Sequence, residues 1–324
     1  MISNNIEIGE NNIVRGGGGS NQGDPSCSKV LKIGYFADGP WAHKTFDNLL
    51  ADLSFQIVFV CARFDNPDPI LKKKASDNSI DFLTHPKVNS DDFKSIIECY
   101  SCDIFVSMSF NQIFRNRLIQ HPPYGAINCH AGKLPFYRGR NILNWALIND
   151  EAEFGITVHY MDEGIDTGDI IVQQCFPICD DDNYATLLER AYDGCAALLH
   201  CAVKQIHMGV ASRIPQHLIH PLGTYGSGRR TGDEKLEWNQ NSRDVFNFVR
   251  AICTPGPQAR TYLGEKEILI NRVSLLPQAP QYKGIPGAVL QTDETSMLVK
   301  TLDSYVRVLE WSGDVKVKVG DRLI

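Results

Sequence analysis

The sequence predicts an α/β fold, with a doubly wound, mostly parallel sheet followed by a small β-rich, barrel-like domain. Apolar strand-length runs alternate with helix-length segments through most of the chain, the pattern of a sheet covered on both faces. One long amphipathic segment closes that series. Beyond it the apolar runs are short and separated by turn residues, as in a small barrel. The chain has 324 residues, enough for two domains.

Residues 1–28 are polar, and Gly16 to Gly19 follow Arg15 directly. This is linker composition. No Lys-Ser or Lys-Thr follows the glycines, so they do not form a phosphate loop. Residues 5–13 look like a single hexapeptide β-helix turn, too little to bury a core. Strands are expected at 30–36, 55–62, 81–83, 103–108 and 126–130. Helices are expected near 41–51, 68–76, 90–100, 112–120 and 141–149. Two longer strands follow at 153–161 and 169–177. From Tyr184 to about Gly209, Leu187, Leu188, Ala191, Cys195, Leu198 and Leu199 recur at helical spacing. A short helix at 245–252 leads to Pro255-Gly256-Pro257, and β runs are expected at 259–263, 267–273, 287–291, 297–301 and 305–310. The division that results is a tail over 1–28, a catalytic domain over 29–210, a linker and helix over 211–254 and a terminal domain over 255–324.

Composition excludes several classes. There is no apolar run of about 18 residues, so no membrane span is expected. The first residues lack a basic stretch followed by an apolar core, so no secretion signal is expected. The ten cysteines lack paired zinc spacing, and several sit in apolar runs. They fit a reducing cytosol, with no metal site expected. No Gly-x-Gly-x-x-Gly follows the first strand, so a nicotinamide cofactor is not supported. Net charge is −6, which argues against a surface built to hold tRNA or other nucleic acid.

Two segments carry the chemistry. The first runs Asn128-Cys129-His130-Ala131-Gly132-Lys133-Leu134-Pro135-Phe136-Tyr137-Arg138-Gly139-Arg140, and the second leads through Asp162-Glu163-Gly164-Ile165 to Asp166. Strand alternation puts Asn128 and His130 on one face, near the carboxyl end of a strand, where open α/β sheets bind ligands. Cys129 points the other way. An amide, an imidazole and a carboxylate in this order suit transfer of a small acyl group. The amide steadies an oxyanion, the imidazole takes a proton from the attacking amine, and the carboxylate orients the ring and raises its pKa.

The joint pattern closely resembles the N10-formyltetrahydrofolate-dependent formyltransferases, over roughly residues 30–210 and more weakly beyond. The resemblance implies a Rossmann-like catalytic core, N10-formyltetrahydrofolate as co-substrate and catalytic roles for Asn128, His130 and Asp166. It also implies folate contacts from Gln112, Ile113, Phe114, Arg140 and Asp162, Glu163, Gly164 and Ile165. The loop Gly132-Lys133-Leu134-Pro135 is similar to that of the sugar-nucleotide formyltransferases, where the tRNA enzymes usually read Ser-Leu-Leu-Pro. The expected acceptor is therefore the amine of a dTDP- or UDP-linked 3- or 4-amino-deoxyhexose, feeding a surface polysaccharide such as an O-antigen. Lys133, Trp41, Arg229 and Arg230 are candidate contacts to that acceptor. Each has a plainer alternative: a solvated loop lysine, a helix-start tryptophan packed in the core with Asp38 as cap, and a basic linker. Methionyl-tRNA as acceptor, and a catalytically inactive folate-binding module, are the rival functions. A homodimer is left open.

Overall fold

The computed structural model describes residues 29–324. The expected tail over 1–28, with its Gly-rich run and hexapeptide-like turn, lies outside the described residues. The first elements are β1 (Leu31–Ala37), α1 (Pro40–Ala51), β2 (Phe55–Ala62), α2 (Pro69–Asp77), β3 (Asp81–Thr84), α3 (Asp91–Ile97), β4 (Ile104–Met108), α4 (Asn116–Ile119) and β5 (Ala126–His130). Then come β6 (Arg138–Gly139), α5 (Ile142–Ile148), β7 (Glu153–Tyr160), β8 (Ile170–Pro177), α6 (Tyr184–His207) and β9 (Tyr225–Gly226). The chain ends with α7 (Ser242–Ile252), β10 (Ala259–Leu263), β11 (Lys266–Ser274), β12 (Val289–Thr292), β13 (Met297–Lys300) and β14 (Tyr305–Ser312).

Seven strands form one sheet in the order β3-β2-β1-β4-β5-β7-β8. The first five run parallel. The hairpin β7–β8 is antiparallel and joins at β5, so the sheet is mostly parallel, as expected. Strand alternation splits β1 between two cores. Ile33, Tyr35 and Ala37 belong to the main core cluster together with buried residues of α1 and α6, and the Tyr35 ring lies 6.5 Å from that of Phe46 in α1. Phe36 faces a second cluster, where its ring meets those of Phe59, Phe93, Phe105, Phe110 and Phe114. The other sheet is antiparallel, in the order β10-β11-β14-β13-β12, and curls into a half-barrel. Its β10 edge is covered by a pair of hydrogen bonds between Tyr262 and Ile324, at 2.9 and 3.0 Å.

The helix α7 ties the two sheets together. Its Val245, Val249 and Ile252 are buried in the shared core. The Ala251 carbonyl accepts from Asn144 Nδ2 at 2.5 Å, and Arg243 pairs with Asp150 and Asp180, each at 2.6 Å.

Two local expectations change. The helix expected over 112–120 shrinks to α4, because side chains hold the preceding residues as a loop. Gln112 accepts from Val88 N at 3.0 Å and donates to the His85 carbonyl at 2.7 Å, and Asn89 takes Arg115 N at 2.8 Å. At the start of α1 the cap is Gly39. Asp38 instead accepts from Asp68 N at 3.0 Å.

The aromatic cluster gives a stability test. Truncating a fully buried ring forfeits both its transfer free energy and its packing. Phe36→Ala is expected to cost about 3–5 kcal/mol in urea unfolding. A loss under about 1 kcal/mol would mean that the cluster does not hold the β1 face.

Candidate active site

Antiparallel pairing of β5 and β7 sets Asn128 opposite His159, and His130 opposite Thr157. Asn128 and His130 share a face, and the Cys129 thiol lies on the other, 3.8 Å from the Cys195 carbonyl. The loop between β7 and β8 brings Asp166 to the face of Asn128 and His130. Four side chains then form a row. Asn128 Nδ2 lies 3.4 Å from His159 Nε2. His159 Nε2 lies 3.5 Å from Asp166 Oδ1, and Asp166 Oδ2 lies 3.6 Å from His130 Nδ1.

Backbone groups complete the row. His130 Nε2 donates to the Tyr137 carbonyl at 2.7 Å. His159 Nδ1 donates to the Tyr160 carbonyl at 2.7 Å. The Gly139 N–H donates to Asp166 Oδ2 at 2.8 Å. A carbonyl only accepts, so these contacts fix the tautomers. Neutral His130 carries its hydrogen on Nε2, and neutral His159 carries it on Nδ1. Both remaining lone pairs face the Asp166 carboxylate, and the Asn128 amide donates to that of His159. A proton placed on either ring turns a lone-pair repulsion into an ion pair, so the row is built to accept one.

Burial opposes that gain. Desolvation pushes the His130 imidazole below its ordinary range, although Asp166 and the Tyr137 carbonyl pull it upward. The carboxylate was expected to leave the ring raised. The net direction is down, because burial outweighs the charge. Burial also pushes the Asp166 carboxyl upward, but His130, His159 and the Gly139 N–H together hold it well below the usual carboxylate range.

The loop after β5 is fitted tightly to the ring. Thr157 Oγ1 donates to the Gly132 carbonyl at 2.7 Å and accepts from Gln173 Nε2 at 2.7 Å. A Cβ at Gly132 would sit 2.4 Å from His130 Nε2 and 2.5 Å from the Tyr137 carbonyl, so only glycine permits this ring position.

The structure brings Asn128, His130 and Asp166 together and spreads the other expected residues. Ile113 and Ile165 are exposed, at 52% and 51%. Their loops are joined where Glu163 Oε1 accepts from Asn116 N at 3.4 Å. Asp162 closes its own turn, accepting from Gly164 N at 3.1 Å and Thr167 Oγ1 at 2.6 Å. A Cβ at Gly164 would strike Thr167 Oγ1. The side chains of two expected folate residues are engaged within the protein: Phe114 is 1% exposed within the aromatic core, and the Gln112 amide bonds the loop at 85–88. Arg140 is exposed, with its backbone N–H on the Gly226 carbonyl.

The acceptor candidates fare unevenly. Lys133 is neutralised by Glu153 at 2.5 Å. Trp41 packs edge-on against Tyr192 of α6, with ring centroids 4.7 Å apart, which is the helix-packing alternative. Arg229 turns inward to the Asp233 carbonyl and lies 5.6 Å from the Phe248 ring centroid. Arg230 is exposed. Sequence reasoning missed His159, whose signal is its register opposite Asn128, and Arg138, which is buried where Arg140 was favoured. Among the described residues no three His, Cys, Asp or Glu side chains are grouped to hold a metal ion. Among them no helix is long and apolar enough to cross a membrane.

A family model described as formyl transferase matches residues 32–202, and one for the formyl transferase C-terminal domain matches residues 230–319. The methionyl-tRNA formyltransferase of Pelotomaculum thermopropionicum is 32% identical over 263 residues, covering 81% of this chain and 82% of that protein. Among solved structures, WlaRD, a sugar 3N-formyl transferase crystallised with dTDP and 5-N-formyl-THF, has a TM-score of 0.67 at 21% identity. That match covers 89% of this chain and 99% of WlaRD. An N-formyltransferase from Helicobacter canadensis, in complex with folinic acid and dTDP-3-aminofucose, has a TM-score of 0.67 at 20% identity. It matches 87% of this chain and 100% of its own.

Gly132→Ala tests the ring's position. The added carbon must displace the imidazole, and a misplacement of about 1 Å can cost on the order of 10²-fold in rate. The variant is expected to keep the wild-type circular dichroism and lose formyl transfer on that scale. Full activity would show that the ring contact with Tyr137 is not needed.

Proposed function

The chain belongs to the formyl transferase family, and on that premise we propose that it formylates the amine of a nucleotide-linked deoxyamino sugar, using N10-formyltetrahydrofolate. The acceptor class is a dTDP- or UDP-linked 3- or 4-amino-deoxyhexose. The observation that carries the chemistry is the row Asn128–His159–Asp166–His130.

The acceptor's amine attacks the formyl carbon, forming the new C–N bond as the carbonyl electrons move to oxygen. His130 takes the amine's proton on Nδ1, the nitrogen that faces Asp166, and the proton is held there as an ion pair. Such a base contributes on the order of 10²–10⁴-fold. Asn128 spends one amide N–H on His159, and its second steadies the oxyanion, worth about 3 kcal/mol. The imidazolium returns its proton to N10 as the old C–N bond breaks and tetrahydrofolate leaves.

Exposed Ile113 and Ile165, on two joined loops, give the pterin apolar walls, and backbone groups of the 162–165 turn meet its edge. Among the acceptor candidates, Arg230 is the exposed cation assigned to the diphosphate, while exposed Arg140 remains a folate contact. Three observations support a small anionic acceptor. Net charge is −6, which disfavours a polyanion such as tRNA. The Gly132–Pro135 loop resembles that of the sugar-nucleotide formyltransferases. The two solved relatives hold dTDP or dTDP-3-aminofucose beside a folate. Free cysteines among the described residues fit a reducing compartment, and we place the reaction in the cytosol.

Methionyl-tRNA is the second reading, favoured by the 32% identity to an enzyme of that name. Incubating the protein and N10-formyltetrahydrofolate with a panel of dTDP- and UDP-amino sugars, and separately with methionyl-tRNA, distinguishes the two. A formylated sugar nucleotide by mass spectrometry is the expected product. Formylation of methionyl-tRNA alone would overturn the acceptor assignment.

Asp166→Asn tests the proton's route. The base must be neutral, so kcat/KM rises with pH through the pKa of His130. Without the carboxylate that pKa falls further. The acid limb of the profile is therefore expected to move to lower pH, with the plateau down on the order of 10²-fold. An unmoved limb would remove Asp166 from the role.

A further inference from the structure

We infer that Gln216 is a positioning residue for formyl transfer, a clamp that holds Asp166 in its working orientation between the two imidazoles. The inference rests on catalysis at the Asp166 row, and it is independent of which amine is the acceptor.

Gln216 follows α6 in the chain, on a short turn after Pro215, and is 3% exposed. Its side-chain amide is fully used. Nε2 donates to the carbonyls of Asp166 and Gly168, each at 2.8 Å. Oε1 accepts from Arg138 Nε at 3.0 Å and Nη2 at 2.6 Å. An amide offers two N–H groups and two lone pairs, and all four are satisfied here.

Both ends of this amide lead to Asp166. The donor end spans the turn where Asp166 takes a left-handed backbone, with φ of 54°, which a non-glycine residue keeps only when its surroundings impose it. The turn closes tightly, since a Cβ at Gly168 would lie 1.9 Å from the Tyr160 carbonyl. The acceptor end holds Arg138, whose neighbour Gly139 gives the Asp166 carboxylate its backbone N–H at 2.8 Å. One side chain thus fixes the main chain of the catalytic loop and the segment that orients its carboxylate.

The plainer role for Gln216 is to satisfy the buried Arg138. The guanidinium has only neutral acceptors besides, the Leu222 carbonyl at 3.3 Å and the Tyr225 hydroxyl at 3.2 Å. Two variants separate these roles. Gln216→Glu strengthens the pairing with Arg138 but loses both donors, so a carboxylate confronts two carbonyls. Gln216→Met removes both ends. The local chain has its own anchor, paired hydrogen bonds between Ile170 and Ile214 at 2.9 and 3.0 Å, so the segment does not depend on Gln216 alone.

The experiment measures kcat and KM for wild type, Q216E, Q216M, D166N and the double variant D166N/Q216M, with melting temperatures as a check on folding. Both Gln216 variants are expected to lose about 10-fold or more in kcat. In the D166N background, Q216M is expected to cost less than about 3-fold, since residues that act through one another do not add. Wild-type kcat in Q216E, or a full multiplicative loss in the double variant, would overturn the clamp. Should Q216M fail to fold, Q216E carries the comparison. A readout without turnover separates this inference from the function itself. By NMR the His130 imidazole is expected to titrate at lower pH in Q216M, which adds no charge, as in D166N. An unchanged titration overturns the clamp even if the acceptor proves to be tRNA, while a wild type that formylates nothing sinks the function instead.

Discussion

A carboxylate held in a buried site between two imidazole lone pairs is the constraint around which this molecule is arranged. Such a placement is costly for a charge with few donors. Here the Gly139 N–H donates to the carboxylate, each ring becomes a further donor once it is protonated, and these groups come from different parts of the chain. His130 is on β5, His159 on β7, and Gly139 on the strap that crosses back to pair with β9. The site exists only when the sheet, the loop over 162–168 and the strap are in place together.

The topology explains why this site sits at β5. The parallel part of the sheet ends there, and β7 returns antiparallel. An antiparallel neighbour brings Asn128 and His159 face to face, and the hairpin that follows turns Asp166 back toward the strand it left. Reactivity then follows from two opposed effects on His130. Burial keeps the ring neutral and ready to accept a proton. The carboxylate stabilises the proton once it arrives. A ring governed by the charge alone would already be protonated, and one governed by burial alone would be too weak a base.

Much of this was legible in the sequence, and the misses have physical causes. Alternation on one strand was enough to pair Asn128 with His130 and to turn Cys129 away. The resemblance to the formyltransferases, and not the loop's composition, named Asp166. His159 was visible as a residue but not as a neighbour, because its relation to Asn128 depends on the register between two strands, which no local pattern encodes. The Tyr137 carbonyl and Gly139 N–H are backbone groups with no side-chain signature. Arg138 and Arg140 look alike in sequence, and only burial distinguishes them. Phe114 and Trp41 carry the apolar character of a ligand wall, yet that character serves equally well in an aromatic core or a helix contact. The helix expected over 112–120 lost its first turn to hydrogen bonds that tie Gln112 and Arg115 to residues 85–89.

The most direct measurement is a ¹⁵N NMR titration of the imidazole nitrogens in the free protein. His130 is expected as the Nε2–H tautomer and His159 as the Nδ1–H tautomer, with His130 gaining its proton only at a pH below the roughly 6.5 of an unperturbed histidine. A His130 found as the Nδ1–H tautomer, or already protonated at neutral pH, would contradict the row of donors and acceptors on which the site is built.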